Sequence, residues 1–346
     1  MRCIFAIIKS FKMFNFSELT QIKNLLQPSS NVVIITHYNP DGDAIGSSLG
    51  LKHFLGAMGI DATVLVPNDF PKFLKWMPDA KKIVIAEYKR KIAGEAIYNA
   101  DVIFCLDFNA HHRIGILGDW LAKSWAKKIL IDHHQQPENF DFVYSNTALP
   151  ATCQMVYHFI EALGEEDKVD QNVAECLYTG ILTDTGGFRF RSTSADTHRI
   201  VAKLIENGAN PDKITSSTWD TNTVSRLHLL SLVLGRIQLV KDGKVSILYL
   251  KRDELKEFGF EKGDTEGFVN YGLSLAGTKM AAFFMEDLYE DFIKISFRSK
   301  DDVDTNSFAR AHFNGGGHIN ASGGKYFKNI LDTIEDFKQK IEGEDF

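Results

Sequence analysis

The chain has 346 residues, of which 44% are hydrophobic, and a formal net charge of -6. This length allows two domains with separate cores, and the ordinary apolar content argues against a disordered chain. The acidic balance argues against a broad surface for long nucleic acid, although a few local cations could still hold a small phosphate ligand.

The first residues, MRCIFAIIKSFKMF, contain an apolar run that is too short to span a membrane. They lack the long apolar region and the cleavage site of a secretory signal. We therefore expect residues 1–12 to be a dispensable extension, with a weak signal sequence as the less favoured alternative. The four cysteines form no CxxC pair, so we interpret them as core residues of a cytoplasmic protein with no membrane partner.

Apolar runs that alternate with helical segments predict an α/β fold with a doubly wound, mainly parallel sheet. The five predicted strands are residues 31–37, 62–67, 81–86, 101–108 and 127–132. Three segments with helical periodicity follow, namely TCQMVYHFIEALG, QNVAECLYTGILTDT and ADTHRIVAKLIENGAN. Together these elements form a predicted domain over residues 13–211.

A polar turn and a long helix form the predicted linker, residues 212–234. In the remaining segment, 235–346, the β-rich halves of GRIQLVKDGKVSILYLK flank a DG turn, which is a hairpin signal. A further strand pair, KMAAFFMED and DFIKISFRS, precedes the glycine-rich segment NGGGHINASGG. We therefore predict a smaller α/β C-terminal domain with a mixed sheet, closed by an acidic amphipathic helix.

Acidic residues and histidines stand where the predicted strands of the first domain end. An open parallel sheet binds its ligands at this carboxyl edge. The residues at these ends are His37, Asp41, Asp43, Asp107, Asp132, His133 and His134, and Asp184 stands at a predicted helix end. Taken singly, Asp41 or Asp43 beside a glycine could be a turn residue. Three such strand ends are harder to explain that way, because carboxylates without a metal would repel one another.

The donor atoms of this cluster suit divalent cations, and their number favours two cations. We assign the ligands to two groups that share Asp107: His37 and Asp41 in the first, and Asp43, His133 and Asp184 in the second. Oxygen and imidazole donors without thiolates favour Mn²⁺, with Mg²⁺ or Co²⁺ as alternatives. Two such ions can clamp the attacking and leaving oxygens of a phosphoryl displacement, which makes Asp107 a catalytic residue.

Asp132 and His134 are the remaining candidates for catalytic residues. Asp132 could accept the free ring N–H of an imidazole and fix its tautomer. His134 could donate to a phosphate oxygen or protonate the leaving group. The alternative for His134 is an ordinary buried, hydrogen-bonded histidine.

Four motifs of the first domain resemble those of the DHH phosphoesterase superfamily: HYNPDGDAIGS, LDFNAHHRIG, IDHHQQPENF and GILTDTGGFRF. GGGHINASGG, preceded by SFRSKDDVDTN, resembles the signature of the associated C-terminal domain. The two-domain layout is similar to the nano-RNase type, the bifunctional oligoribonucleases and PAP phosphatases. The resemblance implies the exact ligand set, which is His37, Asp41, Asp43, Asp107, His133 and Asp184.

The glycine-rich segment is the predicted substrate site of the C-terminal domain. Without side chains, Gly315, Gly316 and Gly317 could bring their backbone N–H groups close to a phosphate. The other residues assigned to the substrate are Arg113, Arg298, Asn306, His318 and Asn320. A turn without a ligand is the alternative for the three glycines, and a surface ion pair is the alternative for Arg113.

The resulting hypothesis is a metal-dependent phosphohydrolase for very short RNA and for 3′-phosphoadenosine 5′-phosphate, without affinity for long nucleic acid. A phosphodiesterase for cyclic dinucleotides or pApA would use the same residues, so this alternative stays open. A pyrophosphatase would leave the glycine-rich segment without a role. A non-catalytic nucleotide-binding regulator would be expected to have a broken ligand set. A homodimer is plausible, although no motif indicates one.

Overall fold

The computed structural model describes residues 14–344, so the predicted extension at 1–12 lies outside the described residues. The chain divides into two compact units, Met1–Thr221 and Asn222–Phe346. The division falls inside the predicted linker. The polar residues expected to form a turn there are a helix, because Asn210 caps them and Pro211 occupies the first turn.

The first unit contains a parallel sheet of six strands. They are β1 (Val32–Ile35), β2 (Ala62–Val66), β3 (Val84–Ile85), β4 (Val102–Leu106), β5 (Lys127–Asp132) and β6 (Phe142–Ser145). Their spatial order is β3-β2-β1-β4-β5-β6, and all neighbours are parallel. The order reverses between β1 and β4, and such a switch point is where doubly wound sheets bind ligands. The predicted parallel sheet is confirmed.

Helices cover both faces of this sheet. In the described part of the unit they are α1 (Phe16–Leu25), α2 (Gly42–Ala57), α3 (Arg90–Tyr98), α4 (Ile116–Lys123), α5 (Thr152–Leu163), α6 (Gln171–Asp184), α7 (Ala195–Glu206) and α8 (Pro211–Trp219). Ile34 of β1 packs in the core formed with α2, α5 and α6, whereas Ile35 packs in the core formed with α3 and α4. This alternation explains why the central strands are apolar along their whole length.

Two strands depart from the sequence prediction. Of the strand expected at 81–86, only Val84–Ile85 pairs with a neighbour. A short 3₁₀ turn over Ala80–Lys82 precedes it, and this turn begins at Asp79, which has a left-handed φ of 62°. The strand β6 was not predicted, because its four residues alternate in burial and are too short for a clear pattern.

Helices α2 and α6 pack unusually close because glycines face their contact. A Cβ on Gly46 would lie 2.6 Å from the carbonyl oxygen of Cys176. A Cβ on Gly180 would lie 2.2 Å from Sγ of Cys153 and 3.0 Å from Cα of Asp43. Since real Cβ atoms do not approach so closely, these glycines allow the close approach of the two helices.

The second unit contains a mixed sheet of six strands. They are β7 (Gln238–Val240), β8 (Val245–Leu250), β9 (Met280–Glu286), β10 (Ile293–Ser299), β11 (Gly316–His318) and β12 (Ala321–Tyr326). Their order is β11-β12-β10-β9-β8-β7, and only β8 and β9 are parallel. The predicted mixed sheet and the hairpin at the DG turn are confirmed. The glycine-rich segment itself forms the pair β11–β12, which the sequence did not predict.

Five helices complete the described part of this unit. They are α9 (Val224–Gly235), α10 (Arg252–Glu257), α11 (Phe268–Leu273), α12 (Thr305–His312) and α13 (Ile330–Glu342). Phe297 of β10 lies in an aromatic core with Phe308, Phe313 and Phe337. Between residues 14 and 344, no helix has the length and apolar character needed to cross a membrane.

Candidate metal centre

Three strand ends supply most of the polar cluster in the first unit. His37 lies two residues beyond β1, and Asp107 directly follows β4. Asp132 is the last residue of β5, and His133 and His134 come next. Because neighbouring strands are about 4.8 Å apart, these side chains meet at the carboxyl edge of the sheet, beside the switch point.

Helices α2 and α6 add the remaining carboxylates. Asp41 is the N-cap of α2, and its Oδ1 accepts hydrogen bonds from the backbone N–H groups of Asp43 and Ala44, both at 3.1 Å. Asp43 lies in the first turn of α2 and is 1% exposed. Asp184 is the last residue of α6, which is the helix end that the sequence predicted. The close glycine contact between the helices therefore brings Asp43 and Asp184 to one place.

Asp107 is the centre of the cluster. Its Oδ2 lies 3.4 Å from Nε2 of His37, and its Oδ1 lies 3.4 Å from Nε2 of His133. The second imidazole also lies 3.4 Å from Oδ2 of Asp184 and 3.7 Å from Oδ2 of Asp43. The two oxygens of one carboxylate thus face two different groups of donors.

The group of donors that faces Oδ2 of Asp107 is smaller. Nε2 of His37 lies 3.9 Å from Oδ1 of Asp41. These separations exceed the 2.7–3.2 Å of a good N–H···O bond. They suit atoms that share a cation, since two ligands each about 2.1 Å from one ion at a right angle lie about 3 Å apart.

The orientation of both imidazoles favours metal binding. Nδ1 of His37 lies 3.0 Å from the carbonyl oxygen of Tyr38, and Nδ1 of His133 lies 3.2 Å from that of Leu149. A carbonyl oxygen can only accept, so each Nδ1 carries the proton and donates it. The Nε2 atoms then point into the carboxylates, and each can bind a cation once it loses its proton; metal-binding histidines are held in this way in proteins.

Electrostatic strain accompanies this packing of charges. Burial and the neighbouring Asp107 raise the pKa of Asp43 to about 7, even though His133 opposes this. Burial and repulsion by Asp43 likewise hold the pKa of Asp184 well above its usual range. For Asp107 burial also acts upward, but the neighbouring imidazoles of His133 and His37 outweigh it and lower the pKa well below normal.

The imidazoles respond in the opposite direction. Burial lowers the pKa of His133, but its contacts with Asp107 and Asp184 outweigh burial and raise that pKa well above normal. The pKa of His37 is raised for the same reason, since Asp107 and Asp41 outweigh burial. Protons bound to these imidazoles and carboxylates therefore reduce the net negative charge of the cluster. The buried oxygen and imidazole donors fit divalent cations, which would replace those protons on binding.

His134 and Asp132 form a separate pair beside the ligands. Nδ1 of His134 lies 2.7 Å from Oδ1 of Asp132, which matches the tautomer-fixing contact that the sequence predicted for Asp132. Nη2 of Arg113 lies 3.4 Å from Nε2 of the same imidazole. The structure therefore brings Arg113 next to His134, as expected of a residue on this edge of the sheet.

Sequence reasoning missed a threonine that contacts two of the predicted ligands. Oγ1 of Thr152 donates a 2.9 Å hydrogen bond to Oδ1 of Asp107. The backbone N–H groups of Thr152 and Cys153, at the start of α5, donate to the two oxygens of Asp43 at 2.6 and 2.8 Å. A helix start was predicted here, but its partners lie 45 and 109 residues earlier in the chain, so no local signal indicated them.

A second missed residue, Asn68, holds the loop that carries His37 and Asp41. Its Oδ1 accepts a 2.7 Å bond from the backbone N–H of Asn39, and its Nδ2 donates a 2.8 Å bond to Oδ1 of Asn39. Asn39 has a left-handed φ of 56°, and Asn68 is only 4% exposed. The paired amides stabilise this unusual loop conformation.

In the second unit, Arg298 and His318 lie on the same face of the sheet. Arg298 of β10 is paired with Ala321 of β12, and His318 of β11 is paired with the same alanine. Residues directly opposite in neighbouring strands point to one face, so the two polar side chains flank a small residue. Another predicted polar residue, Asn320, has a structural role: its Nδ2 donates to Oγ of Ser299 and to the carbonyl oxygen of Asp301.

The three glycines differ from one another. Gly315 and Gly317 are required by packing, because a Cβ would lie 2.0 Å from the oxygen of Gly323 and 2.5 Å from that of Ala321, respectively. Their N–H groups donate within the unit, to Ala309 and Asn306. A Cβ on Gly316 would meet nothing closer than 3.7 Å.

The open space above Gly316 is bordered by two polar side chains. Nε of Arg310 and Oδ1 of Asn306 would each lie 3.7 Å from the added Cβ. Arg310, which the sequence analysis did not select, donates a 3.2 Å hydrogen bond from this nitrogen to Asn306. Its position at i+4 from Asn306 on α12 is a pattern that sequence reasoning could have used.

Comparison with known proteins shows which family has this architecture. The sequence profile of the DHH family N-terminal domain matches residues 31–181, and that of the DHHA1 domain matches residues 242–344. The chain is 31% identical to the bifunctional oligoribonuclease and PAP phosphatase NrnA of Thermus thermophilus, over 84% of this chain and 83% of that protein. The chain belongs to the DHH family.

Two further proteins are similar to this chain over most of its length. The Bacillus subtilis protein of the same name is 26% identical and matches 89% of this chain and 93% of its own. The crystal structure of an exopolyphosphatase-related protein from Bacteroides fragilis is 39% identical and has a TM-score of 0.90, covering 94% of this chain and 96% of that one. The family predicted from five motifs is confirmed.

The predicted metal ligands and the predicted substrate residues lie mostly in different matched segments. Five of the six predicted ligands lie within the DHH match, and Asp184 follows its end by three residues. All predicted substrate residues except Arg113 lie within the DHHA1 match. The boundary between the two units, after Thr221, falls between the matched segments.

Proposed function

We propose that the chain hydrolyses very short oligoribonucleotides and removes the 3′-phosphate of 3′-phosphoadenosine 5′-phosphate, with two divalent cations bound at the carboxyl edge of the parallel sheet. Mn²⁺ is the preferred cation, and Mg²⁺ and Co²⁺ are alternatives. The names of the Thermus and Bacillus relatives, which join these two activities, support this choice of substrates.

The position of Asp107 carries the proposal. Each of its oxygens lies 3.4 Å from a different imidazole, and each imidazole directs its Nε2 atom toward it. A carboxylate held in this way can bridge two cations. His37 and Asp41 complete the first group of ligands, and the donors around His133 complete the second.

Three carboxylates complete the two groups of ligands. They are Asp41 in the first group and Asp43 and Asp184 in the second. When bound, the two cations supply the positive charge that stabilises a phosphorus centre under attack. The chain contributes by holding the ligands rigidly on strand and helix ends, so little rearrangement is needed on binding.

His134 and Arg113 are the groups of this edge that would contact the substrate. The bond from Nδ1 of His134 to Asp132 fixes the ring, and leaves Nε2 facing Arg113 at 3.4 Å. The guanidinium carries a permanent charge and would bind a non-bridging phosphate oxygen. His134, once protonated, can donate to the leaving oxygen.

The DHHA1 domain would supply further groups that bind a phosphate-containing substrate. Arg298 and His318 share one face of its sheet, and Gly316 leaves open space beside Arg310 and Asn306. Arginine forks beside an open glycine position are well suited to a phosphate. With a net charge of -6, the chain has no excess of cations for a long polyanion, which supports a preference for very short substrates.

The test is a substrate panel with the purified full-length chain and Mn²⁺. It compares a diribonucleotide, 3′-phosphoadenosine 5′-phosphate, pApA, cyclic di-AMP, pyrophosphate and a 24-nucleotide RNA. We expect turnover of the diribonucleotide and of the bisphosphate, and much slower turnover of the long RNA. Faster turnover of cyclic di-AMP than of both would replace this function with the cyclic-dinucleotide alternative, and release of phosphate from pyrophosphate alone would contradict it.

A further inference from the structure

The start of helix α5 concentrates its hydrogen bonds on one half of the metal centre. Three donors are involved: the hydroxyl and the backbone N–H of Thr152, and the backbone N–H of Cys153. They reach Oδ1 of Asp107 and both oxygens of Asp43. Each of these atoms belongs to the group of ligands around His133, and none of the three bonds goes to His37 or Asp41.

The hydroxyl of Thr152 differs from its backbone N–H because it can be removed by substitution. It is fully buried, at 0% exposure, and a carboxylate oxygen can only accept, so the hydroxyl proton points at Asp107. The bond fixes the Oδ1 side, which is 3.4 Å from His133. The Oδ2 atom, which faces His37, is not the acceptor of this bond.

Asp107 needs such a restraint because its backbone conformation is unusual. Its φ is 63°, in the left-handed region that few residues other than glycine adopt. A residue held in this region persists when surrounding contacts determine its position. The hydroxyl of Thr152 supplies one of those contacts directly to the carboxylate.

Resting on the two-cation function proposed above, we infer that Thr152 is a positioning residue that tunes one cation site selectively. The site it tunes is the one formed by Asp43, Asp107, His133 and Asp184. Its hydroxyl holds the Oδ1 atom of the shared carboxylate for that cation, while the cation beside His37 and Asp41 would contact the other oxygen, Oδ2. Loss of partners that orient metal ligands typically costs about 10–100-fold in metal affinity.

The experiment is a titration of the full-length chain with Mn²⁺, followed by electron paramagnetic resonance of the free ion and by calorimetry. Thr152→Val removes the hydroxyl and keeps the shape of the side chain. We expect two binding steps in the wild type, with one of them weakened about 10–100-fold in the variant and the other unchanged. Hydrolysis by the variant should recover as the Mn²⁺ concentration rises, which a folding defect would not allow.

Two further variants make the result specific. Thr152→Ser keeps the hydroxyl and should restore both binding steps to within a few-fold of the wild type. Thr179→Val removes an equally buried hydroxyl on α6 that donates only to the carbonyl oxygen of Glu175, and should leave both steps unchanged. If Thr152→Val fails to fold, as judged by circular dichroism, Thr152→Ala takes its place against the same serine variant.

The outcomes separate this inference from the function on which it rests. A wild-type chain that binds no Mn²⁺ would overturn the two-cation function itself. A wild type with two steps and a Thr152→Val variant with the same two affinities would overturn only the role of Thr152. Equal weakening of both steps would also overturn it, because the bonds of α5 end on Oδ1 of Asp107 and on Asp43, and none ends on His37, Asp41 or Oδ2 of Asp107.

Discussion

The carboxyl edge of the first sheet and the glycine-rich segment of the second unit use opposite means to prepare a site for phosphate chemistry. At the edge, charged side chains are buried together, and the pKa of Asp43 rises to about 7 as a result. In the glycine-rich segment, side chains are absent, and the backbone is folded into the sheet as β11 and β12. The first region carries an electrostatic cost in the folded protein, whereas the second carries a conformational one.

This difference shows where the requirements of function conflict with those of stability. At the edge, the same carboxylates that would hold cations repel one another, so the metal-free protein bears the cost of preorganisation. In the second unit, Gly315 and Gly317 are fixed by packing, so their first role is to form the sheet. Only Gly316 combines a permissive backbone environment with open space.

The largest effect is expected for Asp107→Asn, which tests the predicted metal ligands at the carboxyl edge of the first sheet. Asparagine tolerates a left-handed φ and keeps an oxygen for the hydroxyl of Thr152, so the fold should persist. The bridging charge is lost, and we expect turnover of a diribonucleotide to fall by more than about 100-fold, beyond the typical loss of an orienting partner. Steady-state kinetics with saturating Mn²⁺ will measure this.

Thermal unfolding with and without Mn²⁺ provides the control for this variant. A ligand at 100 times its dissociation constant stabilises the folded state by about 2.7 kcal/mol, so the wild type should melt at a higher temperature with the ion. Asp107→Asn should show little of this rise. A variant with full activity, or with the wild-type response to Mn²⁺, would contradict the bridging role.

An intermediate effect is expected for alanine substitutions of the glycines. These substitutions distinguish a glycine that packing requires from one that leaves open space. Gly317 has a φ of 148°, and an added Cβ would lie 2.5 Å from the oxygen of Ala321. We expect Gly317→Ala to destabilise the second unit by about 1–3 kcal/mol. Urea unfolding, followed by circular dichroism, will measure the change.

Gly316→Ala is the matched variant, because its Cβ would meet nothing closer than 3.7 Å. Its stability should stay within about 0.5 kcal/mol of the wild type. Its KM for a diribonucleotide should nevertheless rise, since the methyl group would fill the space beside Arg310. Equal stability losses in the two alanine variants would contradict the distinction between these glycines.

The smallest effect concerns a partly buried charge cluster around His158, which is not part of the carboxyl edge. His158 lies 3.0 Å from both Glu161 and Asp196. Burial lowers the pKa of this histidine, but the two carboxylates outweigh burial and raise it to about 9. Since the unfolded value is about 6.5, the stabilisation is fully present below pH 6.5 and is lost as the pH rises through 9.

We expect His158→Gln to remove this part of the pH dependence. The difference in free energy of unfolding between wild type and variant, measured without Mn²⁺, should shrink steadily from pH 6 to pH 9. His228→Gln, at an exposed histidine of α9, serves as the control. A difference that stays constant over this range would mean that the charge of His158 does not stabilise the fold.

Much of the fold and of the site could be predicted because the signals are local. Strands such as β4 and β5 are continuous apolar runs, and the polar residue that ends each run is visible in the sequence. Asp107 and Asp132 were found in this way, and Asp184 was found at the end of a clear helical pattern. Parallel topology then places the strand ends together without any knowledge of side-chain contacts.

The parts that were missed depend on contacts between distant segments. Thr152 and Asn68 act through hydrogen bonds to residues 45 and 29 positions away, respectively, and neither bond has a sequence pattern. The strand β3 has only two residues because the turn that follows the left-handed Asp79 includes the first two residues of the predicted run. The glycine-rich segment reads as a loop because glycine disfavours strands, yet it pairs in register.

Both sheets are bordered by short strands, and this has a consequence for the behaviour of the protein in concentrated solution. The outermost strands have two and four residues in the first unit and three each in the second. A short edge strand offers few unpaired peptide groups to a neighbouring molecule. Fibrillar self-association by strand addition is therefore disfavoured in the native state, and any aggregation on heating should require unfolding first.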